Sequence, residues 1–218
     1  MTNPETYNRV VTIGVDIQND FALPTGALSV PDGEAIVAPF NAVAEWTRTN
    51  GGQVALTADQ HPTETEHFKK WPVHCVAGTE GADLHKDVQT DLWDRFIVKG
   101  TSTVDDGYSG FEGADTNGKT LEAMIRPTDD HERVAVLIGG LATDYCVEAT
   151  VLDALEVARE YLPVYPRRIG VFVVEDAIRA VNINPEDGER AIAKMKLKGA
   201  HFVTAQEVTQ NGMIQVEA

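Results

Sequence analysis

Short apolar runs that stop at a polar residue recur along this chain and alternate with segments of helical periodicity. The runs 9-RVVTIGVDI-17, 53-QVALTA-58, 95-RFIVKG-100, 133-RVAVLIGG-140, 169-IGVFVVED-176 and 201-HFVT-204 predict strands, with 9–17 and 169–176 reading as buried ones. Between them, Ile36, Val37, Phe40, Val43 and Ala44 follow a helical stripe, with Asp32 as the expected cap and 50-NGG-52 as the stop. A short helix is expected in 118-GKTLEAMI-125. A longer one over 143–160 has Val147, Val151, Ala154, Leu155 and Ala158 on one face and Thr143 or Asp144 as its cap. The segment 184-NPEDGERAIAKMKLKG-199 combines an Asn cap, an early proline, acids at its start, lysines at its end and a closing glycine. Strand and helix in alternation predict an α/β fold: three layers, α/β/α, around a mostly parallel sheet of about six strands. Ligands bind such sheets at the carboxyl ends of the strands.

The 218 residues suit one domain, 1–218, with a sizeable core. Asp and Glu number 34 against 18 Lys and Arg, a net charge of -16 that repels phosphate backbones and anionic membranes, so neither nucleic acid nor a membrane is an expected partner. No segment reaches the roughly 20 apolar residues that span a bilayer, and MTNPETYNRVV lacks the basic start and apolar run of a signal peptide. A cytoplasmic location is expected, and there Cys75 and Cys146 stay unpaired.

Asp16, Lys99 and Cys146 each follow a buried run, so each should project from the same edge of the sheet. Taken singly, the cysteine reads as a small buried hydrophobe, Asp16 as a turn cap and Lys99 as a solvated loop residue. Taken together they describe an activated nucleophile: a carboxylate accepts the thiol proton while an ammonium and a helix start stabilise the thiolate. The irregular stretch 59–94 is long enough to be functional. Within it Asp59 and His61, two residues apart at a strand end, point the same way. With His67 and His74 following, this donor set suits a divalent transition metal such as zinc, iron or manganese, or else forms a solvated acidic loop. Cys75 reads as structural. Phe21, Trp71 and Tyr108 lie in irregular segments where they either wall a pocket for a flat ring or pack in the core.

The motifs 16-DIQNDF-21, 59-DQH-61, 71-WPVHCVAGTEG-81, 98-VKG-100, 107-GYSGFEG-113 and 140-GLATDYCV-147, in that order, resemble those of the isochorismatase-like cysteine hydrolases, and within them the nicotinamidases, also called pyrazinamidases. The resemblance covers nearly the whole chain. It implies a Rossmann-like fold, a catalytic triad of Asp16, Lys99 and Cys146, and one metal ion on Asp59, His61 and His74, with His67 a fourth ligand found in some members. It further implies a cis peptide between Leu141 and Ala142 that turns the amides of Ala142 and Cys146 into an oxyanion hole, and ring contacts from Phe21, Trp71, Tyr108, Leu141 and Tyr145. The implied reaction is hydrolysis of nicotinamide to nicotinate and ammonia in NAD salvage, with pyrazinamide a second substrate. An N-carbamoyl or ureido hydrolase would keep the triad without needing the metal, and a non-catalytic metabolite-binding module would need neither. Tyr145 stands where several relatives carry histidine. The segment 159-REYLPVYPRR-168 reads either as a surface elaboration or as part of a homo-oligomer contact.

Overall fold

In the computed structural model, residues 5–160, 168–210 and 214–216 are described; most of the 159–168 segment lies outside them. Strands β2 (Arg9–Val15), β3 (Gln53–Asp59), β4 (Arg95–Lys99), β5 (Val134–Leu141), β6 (Ile169–Arg179) and β7 (His201–Val203) form one sheet in the order β4-β3-β2-β5-β6-β7. Every neighbouring pair in it is parallel. All six expected runs are therefore strands of this sheet. A two-stranded parallel ladder of β1 (Glu5–Tyr7) with β8 (Ile214–Val216) lies outside it; these three-residue segments carry no apolar run that would announce them.

Strand alternation sends neighbouring residues to opposite faces. On one face Val10, Leu56, Ala135 and Leu137 join Val37, Phe40, Val43 and Ala44 of α2 (Val37–Thr49) and Val208 of α6 (Ala205–Thr209). On the other, Val11, Ile13, Val136 and Ile138 join α3 (Leu121–Ile125), Val151, Ala154 and Leu155 of α4 (Glu148–Glu160), and Ala191 and Met195 of α5 (Asp187–Lys198). The result is three layers. Among the described residues, no helix is long and apolar enough to cross a membrane.

The helix starts differ from the sequence reading. Asp32 has left-handed backbone (φ 55°) and caps nothing; it opens a 3₁₀ turn, Gly33–Ile36, and α2 begins only at Val37. Helix α5 begins at Asp187, not beside Asn184, because the Asp187 carboxylate turns back to accept the Asn184 amide at 2.8 Å. Neither Thr143 nor Asp144 caps α4. A π-type turn, Thr143–Val147, precedes it, closed by the Val147 N–H on the Ala142 carbonyl at 3.1 Å, and the Asp144 carboxylate instead accepts the amides of Val181 (2.9 Å) and Asn182 (2.8 Å).

Strand order reverses direction between β2 and β5: the chain runs outward through β3 and β4, then restarts on the other side of β2. β2 and β5 stay paired to their carboxyl ends, Val15 against Gly140, and a switch point of this kind is where the loops that follow the strands leave room for a ligand. Gly140 lets the two strands meet closely, since at its φ of 131° an added Cβ would lie 2.0 Å from the Val15 carbonyl oxygen.

Candidate active site

Asp16 follows β2, Asp59 and Lys99 end β3 and β4 and pair in register, and Cys146 sits in the turn after β5. Parallel strands bring all four to one edge. The Lys99 Nζ lies 2.8 Å from Asp16 Oδ2, 2.7 Å from Asp59 Oδ1 and 3.7 Å from Cys146 Sγ, and it donates to the Gly107 carbonyl at 2.8 Å. Asp16 and Lys99 are at most 2% exposed, and Cys146 is 6% exposed. The Thr57 hydroxyl donates to Asp16 Oδ1 at 2.5 Å. Gln18 locks the strand ends together: its amide donates to the Asp59 and Ala82 carbonyls, at 2.8 and 2.7 Å, while its oxygen accepts the Asp59 N–H at 2.8 Å.

These contacts set the charges. Burial raises the Asp16 carboxyl, and Lys99 offsets only part of the rise, so Asp16 is a stronger base than an ordinary aspartate. Burial would also raise Asp59, but the Lys99 ammonium and His61 outweigh it and hold the carboxyl at about 2. Burial works against the charge of Lys99, yet the carboxylates on either side raise it well above an ordinary lysine. The Cys146 thiol is pushed up by burial and by the two carboxylates, against the pull of Lys99. At rest the proton stays on sulfur, facing Asp16.

His61, His67 and His74, all buried, bring ring nitrogens within 4.8 Å of one another. Each Nδ1 faces an acceptor: the Gly100 carbonyl for His61 (2.8 Å), Asp106 Oδ1 for His67 (2.9 Å) and the Pro72 carbonyl for His74 (2.7 Å). Carbonyls and carboxylates only accept, so Nδ1 is the donor in all three and Nε2 is the ring nitrogen left for another partner. Burial lowers His67, and lowers His74 to about 4, which keeps both neutral at pH 7. His61 Nε2 is buried without a hydrogen-bond partner, and Asp59 Oδ2 lies 3.6 Å from it. A buried ring nitrogen without a partner, among two more imidazoles and a carboxylate, fits a divalent transition metal, with the Nδ1 contacts orienting the ligands. Phe68 packs against all three rings, at centroid distances of 5.6 to 6.2 Å.

A small cavity above these groups is lined by Asp59, His67, His74, Ala142 and Cys146 and walled by Phe21, Trp71, Tyr108 and Tyr145. Trp71 Nε1 donates to the Tyr108 hydroxyl at 3.0 Å, and the Trp71 and Tyr145 rings meet edge to face at 4.8 Å. Leu28 and Val181 complete the wall and were not foreseen. Of the expected ring contacts, Leu141 is fully buried and does not line this cavity. The peptide between Leu141 and Ala142 is cis, as the resemblance implies. Cys75 is buried with a raised pKa caused chiefly by desolvation, and its amide donates to Asp20 at 2.7 Å.

Residues 10–207 match the isochorismatase domain model. A curated nicotinamidase of Escherichia coli (strain K12) is 34% identical over 210 residues, covering 87% of this chain and 92% of the relative. The structure of the pyrazinamidase of Pyrococcus horikoshii in complex with zinc superposes with a TM-score of 0.70 at 35% identity, covering 89% of this chain and 98% of that one. PnC1 from L. infantum, in complex with nicotinate, superposes at 0.74 with 28% identity and 96% of both chains covered. With the sheet order, the strand-end residues and these matches in agreement, the chain belongs to the isochorismatase-domain family.

Proposed function

We infer that this chain, acting as one domain over 1–218, is a cytoplasmic nicotinamidase of NAD salvage that hydrolyses nicotinamide to nicotinate and ammonia and also acts on pyrazinamide. The observation that carries the reading is the position of Lys99 Nζ, in contact at once with Asp16, Asp59 and Cys146 Sγ beneath an aromatic-walled cavity. The names of the similar proteins, one with zinc and one with nicotinate, agree with it. Asp59, His61, His74 and His67 would hold one divalent ion, zinc in the first instance or else iron or manganese. Such an ion would supply a Lewis acid beside the reacting groups.

Phe21, Trp71, Tyr108 and Tyr145 clamp the flat ring and exclude water. Asp16 takes the Cys146 proton as the sulfur attacks the amide carbon, so a thiol of raised pKa never has to ionise ahead of the attack. The amides of Ala142 and Cys146 bind the oxyanion. Asp16 then passes the proton to the departing nitrogen; the C–N bond breaks, ammonia leaves, and a Cys146 thioester remains. Water, deprotonated by Asp16, adds to the thioester; the C–S bond breaks, the acid is released and sulfur recovers its proton. Lys99 stays charged throughout and orients Asp16. A ureido hydrolase would have no use for the Asp59 and histidine cluster.

Ammonia release from nicotinamide and pyrazinamide, measured for wild type, Cys146→Ala and chelator-treated protein, tests the reading. Wild type should act on both amides, Cys146→Ala should lose at least about 10³-fold in rate, and chelation should stop turnover until zinc is returned. Ammonia release surviving in Cys146→Ala would end the scheme.

A further inference from the structure

The three imidazoles are not held by the same kind of partner. His61 and His74 give their Nδ1 protons to backbone carbonyls, of Gly100 and Pro72, which the fold supplies whatever the side chains are. His67 alone gives its proton to a side chain, Asp106, which arrives on a different loop thirty-nine residues along the chain. The second Asp106 oxygen accepts from Lys70 Nζ at 2.7 Å, so the carboxylate bridges two residues of the His67 loop. The two loops are also stitched by backbone: the Glu66 N–H donates to the Thr103 carbonyl at 2.9 Å and the Thr65 hydroxyl to the Ser102 carbonyl at 3.3 Å.

The residues after Asp106 reach the rest of the site. The Gly107 carbonyl accepts from Lys99 Nζ, and the Tyr108 hydroxyl accepts from Trp71 Nε1. Gly107 has a φ of 68°, and a Cβ there would lie 2.5 Å from Gly100 Cα, so the turn leaves no freedom in how this strap is threaded. Three consecutive residues thus touch the histidine cluster, the buried lysine and the aromatic wall.

We propose that Asp106 is a positioning residue that makes His67 a fourth metal ligand in this chain, through the Asp106 to His67 Nδ1 hydrogen bond and the Lys70 brace behind it. The inference rests on the reading of the histidine cluster as a metal site. An ionised carboxylate behind an imidazole fixes the tautomer and ring orientation and makes Nε2 a stronger donor, and losing such a partner typically costs about 10 to 100-fold in metal affinity. The other two imidazoles need no such partner, so the fourth ligand depends on one replaceable side chain. Asp106 is partly exposed and outside both cores, so its substitution should leave the fold intact.

Zn²⁺ affinity, measured on metal-stripped protein by competition with a chromophoric chelator, tests this in a double-mutant cycle of Asp106→Ala and His67→Ala, with the Co²⁺ absorption spectrum as a second readout. Asp106→Ala should weaken Zn²⁺ binding about 10 to 100-fold in the wild-type background and by less than about twofold when His67 is already alanine. The Co²⁺ spectra of the two single variants should match each other and differ from wild type, and Asp106→Asn should fall between. Equal losses from Asp106→Ala in both backgrounds, or wild-type affinity in Asp106→Ala, would overturn the positioning role while leaving the metal site standing. Wild-type affinity in His67→Ala would remove His67 as a ligand, and the inference with it.

Discussion

Lys99 is the side chain on which the buried charges of the site balance, since one ammonium serves two carboxylates and faces a thiol, all of them nearly or wholly out of solvent. Exposed, such a pair would contribute little; buried, the loss of one partner leaves charge with nothing to compensate it. Lys99→Met keeps the bulk of the stem and removes only the charge. It should destabilise the metal-free protein by about 3–5 kcal/mol, read from urea unfolding, as well as abolish turnover. A variant as stable as wild type would mean that the ammonium is not what holds Asp16 and Asp59 side by side. The two cysteines make the complementary point. Both are buried and both thiols are raised by desolvation, but only Cys146 has a lysine nitrogen in contact and a carboxylate to take its proton. Sequence distinguished them by place, one after a strand and one inside a loop, and by the motif 140-GLATDYCV-147 around Cys146.

At the level of elements, the turn between β5 and α4 does more than present Cys146. Asp144, two residues before it, spends its carboxylate on the amides of Val181 and Asn182, and Asn182 in turn accepts the Gly188 N–H at the start of α5 at 2.8 Å. This clamp fixes Val181 as a wall of the cavity beside Tyr145. Asp144→Ala should therefore loosen the wall without touching the reacting groups, raising KM severalfold with a smaller change in kcat and costing about 1–3 kcal/mol of stability for the amides left without acceptors. Steady-state kinetics beside urea unfolding separate the two effects; a fall in kcat at constant KM would contradict the assignment. The same residue shows where sequence reading stops. The central strands were legible because a run buried on both faces is unmistakable, the half-covered edge strands β4 and β7 because they alternate with helices, and Asp16, Lys99 and Cys146 because parallel strands all point their carboxyl ends one way. Caps were not, because Asp144 and Asp187 had long-range or reversed uses that no local pattern records. Gln18, Thr57, Asp106, Leu28 and Val181 escaped for the same reason: each acts on a residue or a space brought near only by folding.

Across the molecule, the metal cluster joins parts of the chain that the sheet alone does not hold. Asp59 ends β3, whereas His67 and His74 sit in the stretch before β4 that is built of short 3₁₀ turns and isolated bridges. That stretch also carries Trp71 and packs Phe68 against the cluster, so an ion there would tie the irregular segment to the sheet edge. Unfolding scatters the ligands, which makes binding energy into folding energy. Zn²⁺ at about 100 times its Kd should add about 2.7 kcal/mol, which for a chain of this length raises Tm by about 5–11 °C. The net charge of -16 predicts the same direction, because a divalent cation beside Asp59 relieves repulsion in an acidic molecule. That nonspecific term is distinguishable: it would be shared by Mg²⁺, which prefers oxygen ligands, and would fade with added salt. Thermal melts of stripped protein with Zn²⁺ or Mg²⁺ at low and high salt should show the rise with Zn²⁺ only, persisting at high salt and absent in His74→Ala. Equal rises with both ions would assign the effect to surface charge and leave the three imidazoles without a metal to explain their shared orientation.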